Sequence, residues 1–150
     1  MADASFDLGQ AATAFLNAIN QADWDRMRGM LHADALYIET GTARRLEGAN
    51  AFVGACRGWK LALPDLRGTI TLALAAASTV ALEIIWQGTH AGPLPTPAGV
   101  IPPSNAKVTV PASMWVRFDR ERVAEAHHYL DVLALLQQIG ALSTQPPDES

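Results

Sequence analysis

The sequence has little cysteine and no concentrated charge of either sign. Its 150 residues include one cysteine, Cys56, which can form no internal disulfide and has no CxxC partner for a zinc or redox site. The 11 lysine and arginine residues are scattered singly, and the formal net charge is -4. No basic stripe is available to follow a nucleic acid backbone or an anionic membrane surface. We therefore expect neither nucleic acid nor a membrane as a partner.

Long apolar runs and a signal peptide are also missing. The first residues, MADASFDLGQ, are acidic where a signal peptide is basic, and no apolar run approaches the length of a membrane span. These absences predict a cytoplasmic protein. With 49% hydrophobic residues, the chain is long enough for one core, which predicts a single domain over 1–142. The polar residues 143–150 predict a flexible tail.

Helical periodicity dominates the first half. Three segments place apolar residues at helical spacing: 6–20, 24–31 and 48–63. Asp3 or Ser5 is positioned to cap the first helix and Asp23 the second, while Pro64 ends the third because its ring disfavours helical geometry in the residue before it. A strand at 35–40 separates the second and third helices.

Strands dominate the second half. Four runs are rich in β-branched and aromatic residues: 67–77, 78–90, 107–118 and 122–130. The short connections within the first pair of runs and within the second pair predict an antiparallel meander. Helical spacing returns after Asp131, a candidate N-cap, and stops at Gly140. Early helices and late strands together predict an α+β domain in which a curved sheet wraps the helices.

The alternation of residues along the strands predicts which side chains face the interior. In the 107–118 run the inner set is Ala112, Met114, Val116 and Phe118. In the last strand the inner set is Ala124, Ala126, His128 and Leu130, if the hairpin contains a bulge or a three-residue loop. His90 shares a face with Val80, Leu82, Ile84 and Trp86. We therefore expect His90 and His128 to point inward and His127 outward.

Three motifs resemble a known family. They are W-x-G-x-H-x-G-P at 86–93, the Pro64-Asp65 pair after the third helix, and D-x-x-x-L-L-Q-Q-I-G at 131–140. Together they are similar to the SnoaL-like polyketide cyclases, within the superfamily of nuclear transport factor 2 and ketosteroid isomerase. The resemblance covers nearly the whole chain. It implies a cone-shaped α+β barrel, whose curved antiparallel sheet wraps three N-terminal helices around one apolar pocket, with a short C-terminal helix. It also implies a dimer and no cofactor.

The resemblance assigns roles to individual positions. The base of ketosteroid isomerases aligns with Glu39, and the acid/base aspartate of the cyclases aligns with His128. A histidine on the neighbouring strand of the cyclases is replaced here by Met114. The residue types therefore imply a proton transfer related to that of the cyclases, on an apolar substrate different from theirs.

Four polar residues are catalytic candidates: His128, Glu39, His90 and Asp131. Three of them also have a plainer interpretation. His128 is either an acid/base group or a core histidine bonded to a backbone carbonyl. Glu39 is either a base whose pKa burial raises toward neutrality or a carboxylate that reaches solvent. Asp131 is the N-cap of the last helix, a carboxylate that orients His128 or His90, or both.

Six apolar or aromatic residues are candidate substrate contacts: Phe15, Tyr37, Trp59, Trp86, Met114 and Val116. His127 and His128 are adjacent on a strand and face opposite ways, so they cannot chelate one metal ion together. We therefore expect no metal site and no other cofactor.

The proline-rich segment 91–106 has too few backbone donors for a strand and leaves directly from His90. It is interpreted as a lid over the pocket or as an arm that contacts a second subunit. The outer sheet face carries Val123, Tyr129 and Trp115, which predicts a homodimer packed through that face.

These features support two main hypotheses. The first is a cofactor-free acid/base enzyme that enolises a small hydrophobic carbonyl compound, which then cyclises by an intramolecular aldol reaction or isomerises. The second is a non-catalytic binding protein for an apolar small molecule. Epoxide hydrolysis or dehydration is a minor enzymatic alternative.

Overall fold

The computed structural model describes residues 6–142, which form four α-helices and eight strands. The helices are α1 (Leu8–Asn20), α2 (Trp24–Gly29), α3 (Ala49–Ala62) and α4 (Val132–Gln138). The strands are β1 (Leu31–Glu39), β2 (Arg44–Glu47), β3 (Arg67–Ala76), β4 (Thr79–Thr89), β5 (Leu94–Thr96), β6 (Gly99–Ile101), β7 (Lys107–Asp119) and β8 (Arg122–Leu130). The predicted caps Asp3 and Ser5 and the predicted tail at 143–150 lie outside the described residues.

Aspartate side chains start three of the helices. Asp7 caps α1 by accepting the backbone N–H of Gln10 at 2.9 Å, so this helix begins later than predicted. Asp23 caps α2 as predicted, and Asp131 caps α4 as predicted. Each cap satisfies an N–H group that has no partner within its own helix.

Six strands form one curled sheet in the order β2-β1-β8-β7-β4-β3. All neighbouring pairs are antiparallel except β1 and β8, which run parallel. The prediction of an antiparallel sheet was therefore wrong for this pair. The two strands lie at opposite ends of the chain, so no hairpin obliges them to be antiparallel. The α+β class, the curved sheet around the helices and the short C-terminal helix are confirmed.

A β-bulge sets which residues of β8 face inward. Arg117 is opposite Glu125 but Phe118 is opposite Val123, so Ala124 is the extra residue in β8. The bulge reverses the alternation at that point. Val123 is consequently fully buried, and the prediction that it lies on the outer face was wrong.

Part of the segment 91–106 forms strands, although the sequence predicted none there. It forms a small separate hairpin of β5 and β6, with Pro95 paired to Val100. Its start is fixed to the end of α3, because the Gly92 N–H donates to the Ala62 carbonyl at 3.0 Å. A Cβ at Gly92 would lie 2.0 Å from the Leu61 carbonyl oxygen, so only glycine allows this approach.

The core lies between the inner face of the sheet and helices α1 and α3. Alternate residues of β4 and β7 enter it as predicted, including Leu82, Ile84, Met114 and Val116. Among the described residues, we find no helix with both the length and the apolar character needed to cross a membrane.

The outer face of the sheet carries exposed apolar side chains in two cross-strand rows. One row aligns Leu74 of β3, Ala81 of β4 and Trp115 of β7, and Trp115 is 49% exposed. Tyr129, 45% exposed, lies in the adjacent row with Leu72, and the polar residues Ser113 and Glu83 stand between them. We propose that a second copy of the chain covers this face, because several large apolar side chains exposed on one face are unusual on a soluble monomer.

Light scattering at micromolar concentration is expected to give the mass of a dimer, and Trp115→Glu is expected to give a monomer because it places a charge in the centre of the face. Leu133→Glu, at an exposed leucine of α4, is the matched control and should leave the mass unchanged. A wild-type monomer would contradict the proposed interface.

Candidate active site

An apolar cavity opens between the inner face of the sheet and helices α1, α3 and α4. Its cavity volume is about 50 Å³, which rises to about 580 Å³ when all the space between atoms and the open solvent at its mouth are counted. Four residues with polar side-chain atoms lie on its wall: Tyr37, Trp59, Trp86 and His128. The remainder of the wall consists of aliphatic residues, Met114 and Cys56. The cavity therefore suits a hydrophobic molecule with few polar groups.

His128 is the imidazole on the described part of this wall. It lies on β8, is 4% exposed, and stands opposite Met114 of β7 and Glu39 of β1. The Trp86 indole N–H donates to His128 Nε2 at 3.1 Å, and Tyr37 Oη lies 2.9 Å from His128 Nδ1. Because an indole nitrogen can only donate, Nε2 is unprotonated and Nδ1 carries the proton of a neutral ring.

Tyr37 connects His128 to a carboxylate. Its hydroxyl donates to Glu39 Oε2 and, in the same arrangement, accepts the Nδ1–H of His128. Hydrogen bonds thus run in one direction from Trp86 through His128 and Tyr37 to Glu39. His128 Nδ1 itself lies 3.7 Å from Glu39 Oε2, so the negative charge is close to the ring.

Glu39 ends β1 and is completely buried, but each of its oxygens has several donors. Oε2 accepts from Tyr37 and, at 2.9 Å, from Trp59 Nε1. Oε1 accepts from Thr42 Oγ1 at 2.6 Å and from Arg44 Nη2 at 2.9 Å. These donors replace the water that burial removed.

The pKa of Glu39 is lowered although the residue is buried. Burial alone raises this pKa, but the adjacent His128 ring and the donors Thr42, Tyr37 and Trp59 outweigh it and hold the pKa well below its usual range. The expectation that burial raises the pKa of Glu39 toward neutrality was therefore wrong. Glu39 is an ionised partner of the histidine rather than a proton acceptor at neutral pH.

Two neighbouring groups stay protonated. Burial raises the pKa of Tyr37 well above its usual range, and the charge of Glu39 raises it further. Burial, together with the same charge, raises the pKa of the Cys56 thiol to about 12, so this cysteine is an unreactive part of the wall.

Comparisons with known proteins agree with this architecture. A sequence model of the family described as SnoaL-like polyketide cyclase matches residues 9–139. The chain belongs to this family. Comparison with curated protein sequences gave no significant match.

Solved structures similar to this SnoaL-like chain share its fold. IdmH from Streptomyces antibioticus, described as a candidate polyketide cyclase, is 18% identical with a TM-score of 0.76 over 90% of this chain and 99% of its own. A Catenulispora acidiphila protein of ketosteroid isomerase-like fold is 19% identical, with a TM-score of 0.75 over 91% and 97% of the two chains. An LEH-like epoxide hydrolase from M. tuberculosis is 19% identical, with a TM-score of 0.68 over 89% and 90%.

Two predicted site residues of the SnoaL-like chain lie elsewhere. His90 is buried and on the predicted face, but its Nδ1 is bonded to Ser104, at 2.9 Å from Oγ and 3.2 Å from the backbone N, and it is not on the cavity wall. Asp131 is exposed and caps α4 by accepting the Ala134 N–H at 2.9 Å. Its alternative role, orienting His128 or His90, was wrong. Tyr37 and Trp86 occupy both ring nitrogens of His128, and within residues 6–142 Asp131 makes no hydrogen bond to His90.

Some of the six residues predicted to contact a substrate lie on the cavity wall, and others do not. Four of the six line the cavity: Tyr37, Trp59, Trp86 and Met114. Phe15 and Val116 do not, because Phe15 packs edge-on against Phe52 and Val116 lies deeper in the core. Glu39 lies behind Tyr37 and Trp59 rather than on the surface of the cavity.

Sequence reasoning missed Thr42 and Arg44. A 3-10 turn at Thr40–Thr42 follows β1, and Ala43 adopts a left-handed conformation that reverses the chain. Arg44 is consequently placed directly opposite Glu39 in the β1–β2 pair. The run GTARR after a strand is the signal that a hairpin could place a basic residue beside this carboxylate. Across the described range 6–142, we find no cluster of three or more potential metal-ligating side chains.

Proposed function

We propose that the chain is a cofactor-free acid/base enzyme that acts on a small hydrophobic carbonyl compound. His128 removes a proton from the carbon next to the carbonyl, and the resulting enolate attacks a second carbonyl of the same molecule or is reprotonated at another carbon. One observation carries this proposal: a neutral histidine on the wall of an apolar cavity is joined through Tyr37 to the ionised Glu39.

Trp86 has two roles in this mechanism. In the free protein its indole N–H occupies the Nε2 lone pair of His128. A bound carbonyl oxygen competes for this N–H, and its arrival frees Nε2 to accept the proton from carbon. The same N–H then donates to the oxygen on which negative charge develops in the enolate.

Glu39 stabilises the charge that His128 gains. Proton transfer to Nε2 produces an imidazolium, whose Nδ1–H still points through Tyr37 toward the carboxylate 3.7 Å away. Because the cavity is apolar, little water screens this attraction. In an aldol cyclisation the imidazolium returns its proton to the new alkoxide, and in an isomerisation to a different carbon, so His128 ends neutral.

Family membership supports this chemistry. The matching family is described as polyketide cyclases, and one similar structure has a ketosteroid isomerase-like fold. Both descriptions fit reactions that begin with an enolate, but the fold also supports unrelated chemistry, so the argument depends on the site. The resemblance aligns His128 with the acid/base aspartate of the cyclases, and on that alignment the position keeps an acid/base group.

The proposal is tested by deuterium exchange. The wild-type protein is incubated with 1-indanone in D₂O at neutral pH, and loss of the α-proton signal is followed by NMR. We expect exchange above the buffer rate, with saturation at high ketone concentration because the reaction requires the cavity. Equal rates with and without protein would contradict the proposed enolisation of this ketone class.

A binding protein is the second candidate, and one observation favours it. Both ring nitrogens of His128 are engaged within the protein, so its Nε2 lone pair is not free in the absence of a ligand. Saturable binding of 1-indanone without any exchange would support this candidate over the enzyme. Epoxide opening remains a minor alternative, suggested by the LEH-like neighbour, and hydration of styrene oxide by the protein would favour it.

A further inference from the structure

A second, larger chamber adjoins the apolar cavity. It lies between the turn at Thr40–Thr42, helices α3 and α4 and strand β5, and its volume is about 530 Å³. Trp59 and Leu135 line both spaces, so they form the shared wall between them. We call the first space the inner chamber and the second the outer chamber.

Glu39 joins the walls of the two chambers. Its Oε2 accepts from Tyr37 and Trp59, which line the inner chamber. Its Oε1 accepts from Thr42 and Arg44, which line the outer chamber. Binding at either chamber therefore acts on donors of the same carboxylate.

Arg44 is the charged residue on the described wall of the outer chamber. It uses Nε and Nη2 to hold Glu39 Oε1, at 3.2 and 2.9 Å. Within residues 6–142 its Nη1 donates to no protein group, and the side chain is 39% exposed. A guanidinium has five N–H donors in a fixed plane, so the remaining donors are available to a ligand in this chamber.

The charge of Glu39 limits which ligand these donors suit. The carboxylate already balances the positive charge of Arg44, and the rest of the outer wall is formed by neutral residues, including Thr96, Pro97 and Leu136. A second carboxylate would be repelled by Glu39 and would lose its water shell. A carbonyl or ester oxygen accepts the same N–H groups without either cost.

We infer that the outer chamber is a second substrate subsite, in which Arg44 donates to a neutral carbonyl or ester oxygen. This inference rests on the proposed function and narrows its substrate class. The substrate is an elongated apolar molecule with two oxygen acceptors. One is activated beside His128 in the inner chamber, and the other is held by Arg44 in the outer chamber.

The first test uses three matched probes: 4-(2-naphthyl)butan-2-one, the hydrocarbon 2-butylnaphthalene and the anion 3-(2-naphthyl)propanoate. Binding is measured by quenching of tryptophan fluorescence. Arg44→Met is expected to weaken binding of the ketone about tenfold, the loss expected for a hydrogen bond to a charged group, and to leave binding of the hydrocarbon unchanged. Arg45→Met is the matched control, because Arg45 pairs with the exposed Glu47 and not with the chamber.

The second test fills the outer chamber by a substitution that leaves Arg44 unchanged. Gly58 of α3 lines this chamber, and a Cβ built there meets no atom within 4 Å. Gly58→Leu is expected to lower affinity for the ketone at least tenfold while raising the melting temperature, since leucine favours a helix more than glycine does. Gly54→Leu is the control: Gly54 is exposed on the same helix and has equal space, so it should raise stability and leave binding unchanged.

These measurements do not require turnover, so they are distinct from the exchange assay. Equal loss of ketone and hydrocarbon binding in Arg44→Met would overturn the inference, because Arg44 would then only support the fold. Tighter binding of the propanoate than of the ketone would show an anion site and overturn it as well. Unchanged ketone binding by Gly58→Leu, or no binding of the ketone by the wild type, would show that the outer chamber does not hold this class of ligand.

Discussion

Replacing His128 by alanine is expected to lower the protein-dependent exchange rate of 1-indanone about 10²–10⁴-fold, the range that a positioned proton-transfer group supplies. The substitution removes the only imidazole on the described wall of the inner chamber. It leaves the aliphatic wall in place, so affinity for the ketone should change little. A fall in the rate with constant affinity identifies a group that acts mainly in the transition state.

His127→Ala is the internal control for this experiment. His127 is the adjacent residue, but it faces the outer side of the sheet and pairs with Glu125. Its loss should leave the exchange rate within about twofold of wild type, since a partly exposed ion pair contributes little. Full activity in a folded His128→Ala protein, shown by an unchanged far-ultraviolet circular dichroism spectrum, would exclude His128 as the base.

The strand pattern predicted much of the interior correctly. From Val80 to Trp86 in β4 and from Val108 to Phe118 in β7, buried residues alternate with more exposed ones, and every buried residue is apolar. The inner sets therefore follow from the more apolar parity of each strand. The same pattern failed at Val123, because the bulge at Ala124 changes the register and leaves no distinct sequence signal. His128 lies after the bulge, and its inward direction was therefore predicted correctly.

The catalytic network could be predicted only in part. Tyr37 and Glu39 are two residues apart on one strand, so their shared face is visible in the sequence. Trp59 and Arg44 reach Glu39 from α3 and β2, and these contacts depend on how the helix and the hairpin pack. His90 was placed on the correct face, but the segment that follows it supplies Ser104 as its partner.

The same contacts explain why the pKa of Glu39 was misjudged. From the sequence, a carboxylate at the end of an apolar strand suggests burial without partners, and such burial raises a pKa. The structure instead surrounds the carboxylate with four donor side chains and places a histidine ring nearby. Because the donors come from separate elements, their number could not be counted before the fold was known.

Glu39→Gln is expected to destabilise the protein by about 3 kcal/mol at pH 7, because one partner of a buried, hydrogen-bonded charge network is lost. The amide can accept hydrogen bonds with its oxygen, but its NH₂ group must face donors at the other position. If the NH₂ replaces Oε1, it meets the N–H groups of Arg44; if it replaces Oε2, it meets the indole N–H of Trp59. Urea denaturation of both proteins measures this difference.

The difference should shrink in acid. The folded pKa of Glu39 lies below its unfolded value, so folding favours the ionised form. This contribution is complete above the unfolded glutamate pKa of about 4.3 and is lost as the pH falls from there toward the folded value. Glu39→Gln lacks the titrating group, so the stability gap should be smaller at pH 3.5 than at pH 5, where the unfolded glutamate is already mostly ionised.

Other acidic groups do not disturb this comparison. The pKa values of Glu125 and Asp65 are also lowered, by His127 and by the N–H of Thr89 respectively. Both residues are present in the wild type and in Glu39→Gln, so their contributions cancel in the difference.

Glu47→Gln is the exposed control and should change stability by less than about 0.5 kcal/mol. A gap between wild type and Glu39→Gln that stayed constant down to pH 3.5 would mean that Glu39 is not held ionised by its donors. The charge that stabilises protonated His128 would then be absent from the site.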